Sequence, residues 1–236
     1  MSNLNNRILD VIILCGGKGQ RLRPLTNEIP KPMVNINNKP IIYYILNHLN
    51  NYRIENYIFA TGYKSKIIED YLDEHHTSTN ILKVFSGEVG IIKRIQDCLK
   101  FIKNDFLVLY GDTIADVNID QLINFNYDTK HLASITMYEY KSSFGLIEID
   151  KNHKVISFLE KPILDRYINI GYFYFRKKVK NDIIKFQNWE NFIQSLISNS
   201  QLSAFKHNGL HLTVNTMDEL NYAENNIDKI YLKNKL

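Results

Sequence analysis

Apolar positions follow a repeating order through the first half of the chain. A continuous run, Val11-Ile12-Ile13-Leu14, predicts a strand buried on both faces. Residues 40–50 carry Ile41, Ile42, Ile45, Leu46 and Leu49 at helical spacing. A strand is expected at 57–61 and a helix at 66–73, through Ile67, Ile68, Tyr71 and Leu72. Strand 82–85, helix 90–101 with Ile91, Ile92, Ile95, Cys98 and Leu99, and strand 106–110 complete the series. This βαβαβαβ order predicts an α/β fold with parallel strands and right-handed crossovers. Ligands then bind beyond the carboxyl ends of the strands. A glycine-rich loop after the first strand, Gly62, Gly87 and Asp112 all fall at such ends.

From Leu132 the pattern shortens. Strands are expected at 132–138, 145–149, 155–160 and 171–175, with a turn at 151–154, which makes this half more antiparallel. A helix at 189–199, a strand at 204–206 and a last helix at 218–229, starting near a Thr216 cap, follow. Trp189 is expected to pack in the core and Asp116 to sit in a turn. Arg176-Lys177-Lys178 and Lys180 read as a solvated helix start. No linker, repeat or low-complexity tract separates the halves. The 236 residues therefore suit one domain with halves at about 9–131 and about 132–225.

Composition narrows the class. An apolar content of 44% supports a real core. No run approaches the ~18 apolar residues of a membrane span. The first nine residues lack the apolar centre of a signal peptide. Cys15 and Cys98 lie among apolar neighbours, as reduced thiols of a cytoplasmic protein would. No cluster has zinc-ligand spacing. A net charge of +4 is too small to argue for nucleic acid. Whether the chain is a monomer or a homo-oligomer is not legible.

The densest chemistry lies in residues 15–33, C-G-G-K-G-Q-R-L-R-P-L-T-N-E-I-P-K-P-M. Gly16, Gly17 and Gly19 allow close backbone approach to a ligand, and consecutive N–H groups can point at phosphate. Arg21, Arg23 and Lys31, the last between Pro30 and Pro32, add positive charge. The stretch lacks the G-x-x-x-x-G-K-[ST] string of a P-loop and the third glycine of a dinucleotide fingerprint.

The string G-G-x-G-x-R-L followed by K-P-M resembles the signature of sugar-phosphate nucleotidyltransferases, the enzymes that make nucleoside-diphosphate sugars. Gly62-Tyr63-Lys64, F-L-V-L-Y-G-D-T at 106–113, Phe144-Gly145, the E-K-P string at Glu160 and I-N-I-G-Y at 168–172 extend the likeness in family order over residues 9–225. Y-G-D at 110–112 with A-D-V-N-I at 115–119 looks most like the glucose-1-phosphate cytidylyltransferases. The first motif also resembles heptose- and mannose-1-phosphate guanylyltransferases. The resemblance implies a Rossmann-like, mainly parallel mixed sheet with helices on both faces and a small antiparallel extension on the sugar side. It implies transfer of a nucleotidyl group, CTP favoured, to a sugar 1-phosphate, with Mg²⁺.

It also implies roles. Arg21, Lys31 and Asp112 are the expected catalytic residues. Cys15, Gly16, Gly17, Gly19, Gly87, Glu88 and Gly111 are expected to bind the nucleotide. The Glu88 carboxylate either accepts from a base amino group or points to solvent. Gly145, Glu160, Lys161, Asn169 and Tyr172 are expected on the sugar phosphate, with a core aromatic as the plainer alternative for Tyr172. Asp112 is the expected Mg²⁺ ligand. Asn215 stands where many members carry a second aspartate, keeping a carbonyl oxygen and losing a charge. A surface lysine at 31 and a turn aspartate at 112 are the plainer alternatives.

Overall fold

The structure is a computed structural model that describes residues 7–76 and 80–229. Of the first nine residues read above, 1–6 lie outside the described residues. β1 (Leu9–Cys15) leads through α1 (Leu25–Glu28) and the short pair β2 (Asn35–Ile36) and β3 (Lys39–Pro40) to α2 (Ile41–Leu49). Next come β4 (Ile54–Thr61), α3 (Ser65–His75), β5 (Ile81–Phe85), α4 (Ile91–Cys98), β6 (Asp105–Tyr110), β7 (Thr113–Ala115) and α5 (Ile119–Thr129). The second half holds β8 (Ala133–Lys141), β9 (Leu146–Ile149), β10 (Val155–Leu159), β11 (Ile163–Phe175), α6 (Lys180–Ile183), α7 (Trp189–Ser198), β12 (Leu202–Lys206), β13 (His211–Thr213) and α8 (Met217–Asn226).

Seven strands form one sheet in the order β12-β8-β11-β6-β1-β4-β5. β1 runs parallel to β4 and β6, β4 to β5, and β12 to β8. β11 alone runs against its neighbours, β6 and β8. The second half is more antiparallel, as its short strands suggest: β11 runs against β6 and β8, β9 against β10 and β13 against β7. β12 is parallel to β8 because the helix α7 precedes it, and a helical crossover returns a strand in the same direction. The pattern of α5 went unread, although Ile119, Leu122, Ile123 and Asn126 repeat at helical spacing and are buried. Asn118 caps that helix, its side chain accepting from the Gln121 N–H at 2.9 Å. The sheet also runs unbroken across the expected boundary between the halves.

Alternation along β1 shows how the layers assemble. Val11, Ile13 and Cys15 pack with α2, α3, α5 and α8 on one face. Ile12 packs with α4, α6 and α7 on the other. A strand with both faces covered must be apolar throughout, and that is the pattern seen at 11–14. Trp189 lies in the second layer, edge-on to Phe173 and Phe175.

Two expectations for charged residues are corrected. Asp116 is not a loose turn residue: its side chain is largely buried and accepts from the Leu210 N–H at 2.5 Å, beside His207 at 3.2 Å. Arg176 is not solvated: its guanidinium stacks on Tyr127, and its Nε–H donates to Asn126 Oδ1 at 2.6 Å. In both cases a charge finds fixed partners from a distant segment that local pattern does not reveal.

Candidate active site

The carboxyl ends of β1, β4, β5 and β6 meet at one edge of the sheet. A cavity of about 600 Å³ opens there, lined by the glycine loop from Cys15 to Arg21, Lys31, residues 89–91, Arg94, residues 110–112 and Asn215.

The floor is fastened by a residue that the sequence reading missed. Arg94 is buried on α4. Its guanidinium donates to the carbonyls of Thr61 at 3.1 Å, Gly16 at 3.0 Å and Gly87 at 2.8 Å. One side chain therefore ties together the ends of β1, β4 and β5. This also explains two glycines: a Cβ on Gly16 would lie 1.6 Å from Arg94 Nη1, and one on Gly62 would lie 2.7 Å from it. The available signal was an arginine three residues after Ile91, inside an apolar helical stripe.

Lys31 is 8% exposed. The turn that holds it is closed by Met33 N–H to Pro30 O at 2.8 Å and Val34 N–H to Lys31 O at 3.0 Å. Its aliphatic stem passes Gly19, whose φ of +59° suits glycine and whose missing Cβ would sit 3.1 Å from Lys31 Cβ. The ammonium group reaches Asp112 Oδ2 at 2.5 Å and Asn215 Oδ1 at 2.7 Å. Arg21 reaches the same Asn215 oxygen at 2.8 Å. Segments 81 to 194 residues apart in sequence thus converge on one cluster.

Asp112 follows Gly111, where a side chain would collide with Leu14 O at 2.7 Å and Cys15 Sγ at 2.9 Å. Asn215 is brought beside it because β13 pairs with β7, setting Thr213 opposite Thr113. Its amide is oriented by two sides. Nδ2 donates to Thr213 Oγ1 at 2.7 Å, which leaves Oδ1 for Lys31 and Arg21. Its backbone N–H donates to Glu219 Oε2 at 2.6 Å, while Thr216 caps α8 by accepting from the Glu219 N–H at 3.2 Å. Thr213 and Glu219 are positioning residues that sequence reading passed over.

Other expected residues divide. Gly16, Gly17, Gly19 and Gly111 line the cavity; Gly87 sits at its edge, with its carbonyl on Arg94. Glu88 is exposed and pairs with Lys18 at 2.8 Å, so its carboxylate bridges the two loops at the mouth. Cys15 lines the wall with a thiol whose pKa is pushed up by burial and then by Asp112, which keeps it protonated and unreactive.

The sugar-side residues stand apart from this cavity. Gly145 and Glu160 are neighbours, a Cβ on the former lying 2.9 Å from Glu160 Oε2. Lys161 is exposed with φ +45°. Asn169 accepts from the Gly171 N–H at 2.9 Å and meets the hydroxyl of Tyr110, which lines the cavity. Tyr172 is corrected to a core residue: it is 1% exposed, and its hydroxyl is shared with the backbone of Ala115. The strand alternation that sets Ile170 and Tyr174 in the same layer points it inward.

Among known proteins, the chain is 35% identical over 179 residues to the bifunctional protein GlmU of Methanococcus maripaludis, covering 74% of this chain but only 41% of that protein. It is 35% identical over 191 residues to D-glycero-α-D-manno-heptose 1-phosphate guanylyltransferase of Campylobacter jejuni, covering 79% and 85%. It is 28% identical over 238 residues to a probable glucose-1-phosphate cytidylyltransferase of Bacillus subtilis, covering 90% and 93%. Among solved structures, HddC of Yersinia pseudotuberculosis superposes with a TM-score of 0.73 at 25% identity, covering 93% and 99%. The family model described as "Nucleotidyl transferase" matches residues 10–213, a span that holds Arg21, Lys31, Asp112 and the sheet that gathers them, and the chain belongs to that family.

Proposed function

We propose that this chain transfers a nucleotidyl group from a nucleoside triphosphate to a sugar 1-phosphate and releases pyrophosphate. The observation that carries the reading is the convergence of Arg21, buried Lys31, Asp112 and Asn215 at the mouth of a strand-end cavity floored by glycines. The reaction brings two anions together: a sugar-phosphate oxygen attacks the α-phosphorus, the bond to the β-phosphate bridging oxygen breaks, and pyrophosphate leaves. No covalent protein nucleophile is needed, and the thiol in the wall, Cys15, is held protonated. What the chain supplies is neutralisation and alignment. Arg21 suits the β- and γ-phosphates as a bidentate donor. Lys31 suits the α-phosphate, where charge develops.

Asp112 and Asn215 would hold a Mg²⁺ ion. One carboxylate and one amide oxygen fit a magnesium ion that keeps waters and takes its other ligands from phosphates. They do not fit a closed protein cage, and among the described residues no group of three or more His, Cys, Asp or Glu side chains could hold a metal. When bound, the ion would screen the phosphate oxygens. With Asp112 shared between the ion and Lys31, the Lys31 ammonium would be available to the α-phosphate.

For the base, cytidylyl transfer is the first reading and guanylyl transfer the second. The near full-length match to a cytidylyltransferase supports the first, and the higher identity to a heptose guanylyltransferase supports the second. Arg94 lines the cavity and commits three of its five N–H groups to carbonyls. Both Nη2 protons are taken, so its free Nε and Nη1 protons form no fork, and Arg94 by itself favours neither base. The test is a matrix of four triphosphates against several sugar 1-phosphates, read as pyrophosphate release. CTP should be used at least about tenfold better than UTP, dTTP or GTP, equivalent to ~1.4 kcal/mol. A preference for GTP with a heptose or mannose 1-phosphate promotes the second reading. No turnover with any pair overturns both.

A further inference from the structure

A second cavity lies at the edge of the sheet opposite the candidate active site. β6 starts at Asp105 and ends two residues before Asp112, so its two ends are about 20 Å apart at ~3.3 Å per residue. At the starting end a space of about 530 Å³ is lined by Asp105, Tyr127, Arg176, Lys177, Lys178 and Lys180. None of these residues has a part in the proposed transfer. The edge is also not the one where a parallel sheet ordinarily takes its ligands.

The charge in this cavity is unbalanced. Its one acid, Asp105, is already satisfied: Oδ2 accepts from the Tyr127 and Tyr174 hydroxyls at 2.7 Å each, and Oδ1 from the Lys177 N–H at 2.8 Å. Arg7, 4.0 Å from that carboxylate, answers its charge. Among the described residues, no carboxylate lies within ion-pair distance of the Arg176, Lys177, Lys178 or Lys180 side chain. Two of these four cations are fixed by the fold. Arg176 lies 3.3 Å from the Tyr127 ring centre, and its Nε and Nη2 donate to Asn126 Oδ1 at 2.6 Å and Asn126 O at 3.3 Å. Asn126 is itself fully buried and tied to Ser134 Oγ at 2.9 Å. Both Nη1 protons of Arg176 are left without an acceptor among the described residues. Lys180 spends one proton on the Ile102 carbonyl at 2.6 Å and keeps two. Burial and then Lys177 lower its pKa, with Asp10 opposing them. A half-buried ammonium beside another cation costs stability unless an anion fills the space between them.

We propose that this cavity binds a small anion with two linked phosphates, either free pyrophosphate or the diphosphate of a nucleotide. Guanidinium and ammonium groups are the donors that phosphate recognition uses. A single phosphate, with a charge of about −2, would leave half of the four cations unanswered, whereas two linked phosphates match them. The volume falls within the ~300–1,000 Å³ of small-molecule sites. The cations gather in one concavity and form no stripe, which favours a compact ligand over a nucleic acid or a membrane.

The test reads the two ends of the sheet separately. The whole chain, deuterated and ¹⁵N-labelled, is titrated with inorganic pyrophosphate in metal-free buffer at about 50 mM salt. Amide resonances of residues 176–181 should shift and saturate, apart from any shifts at Gly16, Gly17 and Gly19. Inorganic phosphate should need a concentration at least about tenfold higher. Lys177→Ala with Lys178→Ala, both exposed, should raise the half-saturating concentration at 176–181 by about tenfold or more. It should leave the glycine-loop shifts and the thermal midpoint unchanged. Lys151→Ala with Lys154→Ala, which removes the same charge from an exposed turn, should leave binding at 176–181 intact. CDP that saturates the site below pyrophosphate identifies a nucleotide diphosphate as the source; the reverse order identifies free pyrophosphate. Loss of the glycine-loop shifts alone counts against the transfer reading and leaves this site standing. Absence of saturable shifts at 176–181, binding that survives the Lys177 and Lys178 changes, or phosphate as tight as pyrophosphate overturns the proposal. So does a single strand of about 20 nucleotides that displaces pyrophosphate at a lower concentration, the mark of a general polyanion surface.

Discussion

Arg94 and Gly16 should be energetically inseparable. The Arg94 guanidinium occupies the space where a Cβ on Gly16 would lie, 1.6 Å from Nη1, while holding three carbonyls at 2.8–3.1 Å. Arg94→Ala removes three charge-assisted bonds from a buried site. Such bonds contribute about 1.5–3 kcal/mol each before the desolvation of the arginine is set against them, so a net cost of ~2–4 kcal/mol is expected. The Thr61 and Gly16 carbonyls keep weaker second partners, Ser86 N–H at 3.1 Å and Tyr63 N–H at 3.3 Å, which limits the loss. Gly16→Ala forces the guanidinium out and should cost a similar ~2–4 kcal/mol. In the double variant the new methyl group enters vacated space, and the total should stay near that of Arg94→Ala alone. The cycle should therefore show a coupling of about 2 kcal/mol or more. Gly17→Ala is the control: nothing lies within 4 Å of its Cβ position and its φ is not positive, so it should fall within about 0.5 kcal/mol of wild type. Urea denaturation with m-values measures all four proteins. Additive costs for Gly16→Ala and Arg94→Ala would refute the latch.

Lys31→Ala should lower turnover by roughly 10²–10³-fold in a pyrophosphate-release assay. Because Lys31 is buried on Asp112, it should also cost about 1–2 kcal/mol in urea, more than a loop lysine would. Asp112→Ala should lose Mg²⁺-dependent turnover outright, whereas Asn215→Ala should shift the Mg²⁺ titration to higher concentration; identical responses would sink the division between a charged and a neutral ligand. Burial and then His207 lower the pKa of His211 from 6.5 to about 4. The unfolded chain binds that proton first, so stability is complete above about pH 6.5 and is lost as pH falls toward 4, by up to ~3 kcal/mol. His48, lowered by burial, acts in the same direction. His211→Gln should flatten the profile between pH 6.5 and 4, and an unchanged slope would place the acid sensitivity elsewhere.

Local pattern revealed those parts of this molecule whose causes are local. The strands β1, β4 and β6 were legible because both of their faces are covered, which demands apolar runs, whereas the edge strand β5 exposes Lys83 and Phe85. Their parallel order, and hence the edge where Gly16, Gly87 and Asp112 gather, followed from the helices between them. The failures concern pairings over long sequence distances. β13 is three residues long, and only its pairing with β7 makes it a strand, yet that pairing is what sets Asn215 beside Asp112. Arg94 went unread because the carbonyls that neutralise its burial come from three other segments. Tyr172 lay within a family motif that points to the sugar, but the alternation of β11 turns it into the core. In β9 and β10 alternation sets Ile147, Ile149, Val155 and Phe158 on one face and Glu148 opposite Ser157 on the other. A strand pattern reports how many faces are buried and is silent on what buries them. In β1 the covering layers are α2 and α4 of the same chain.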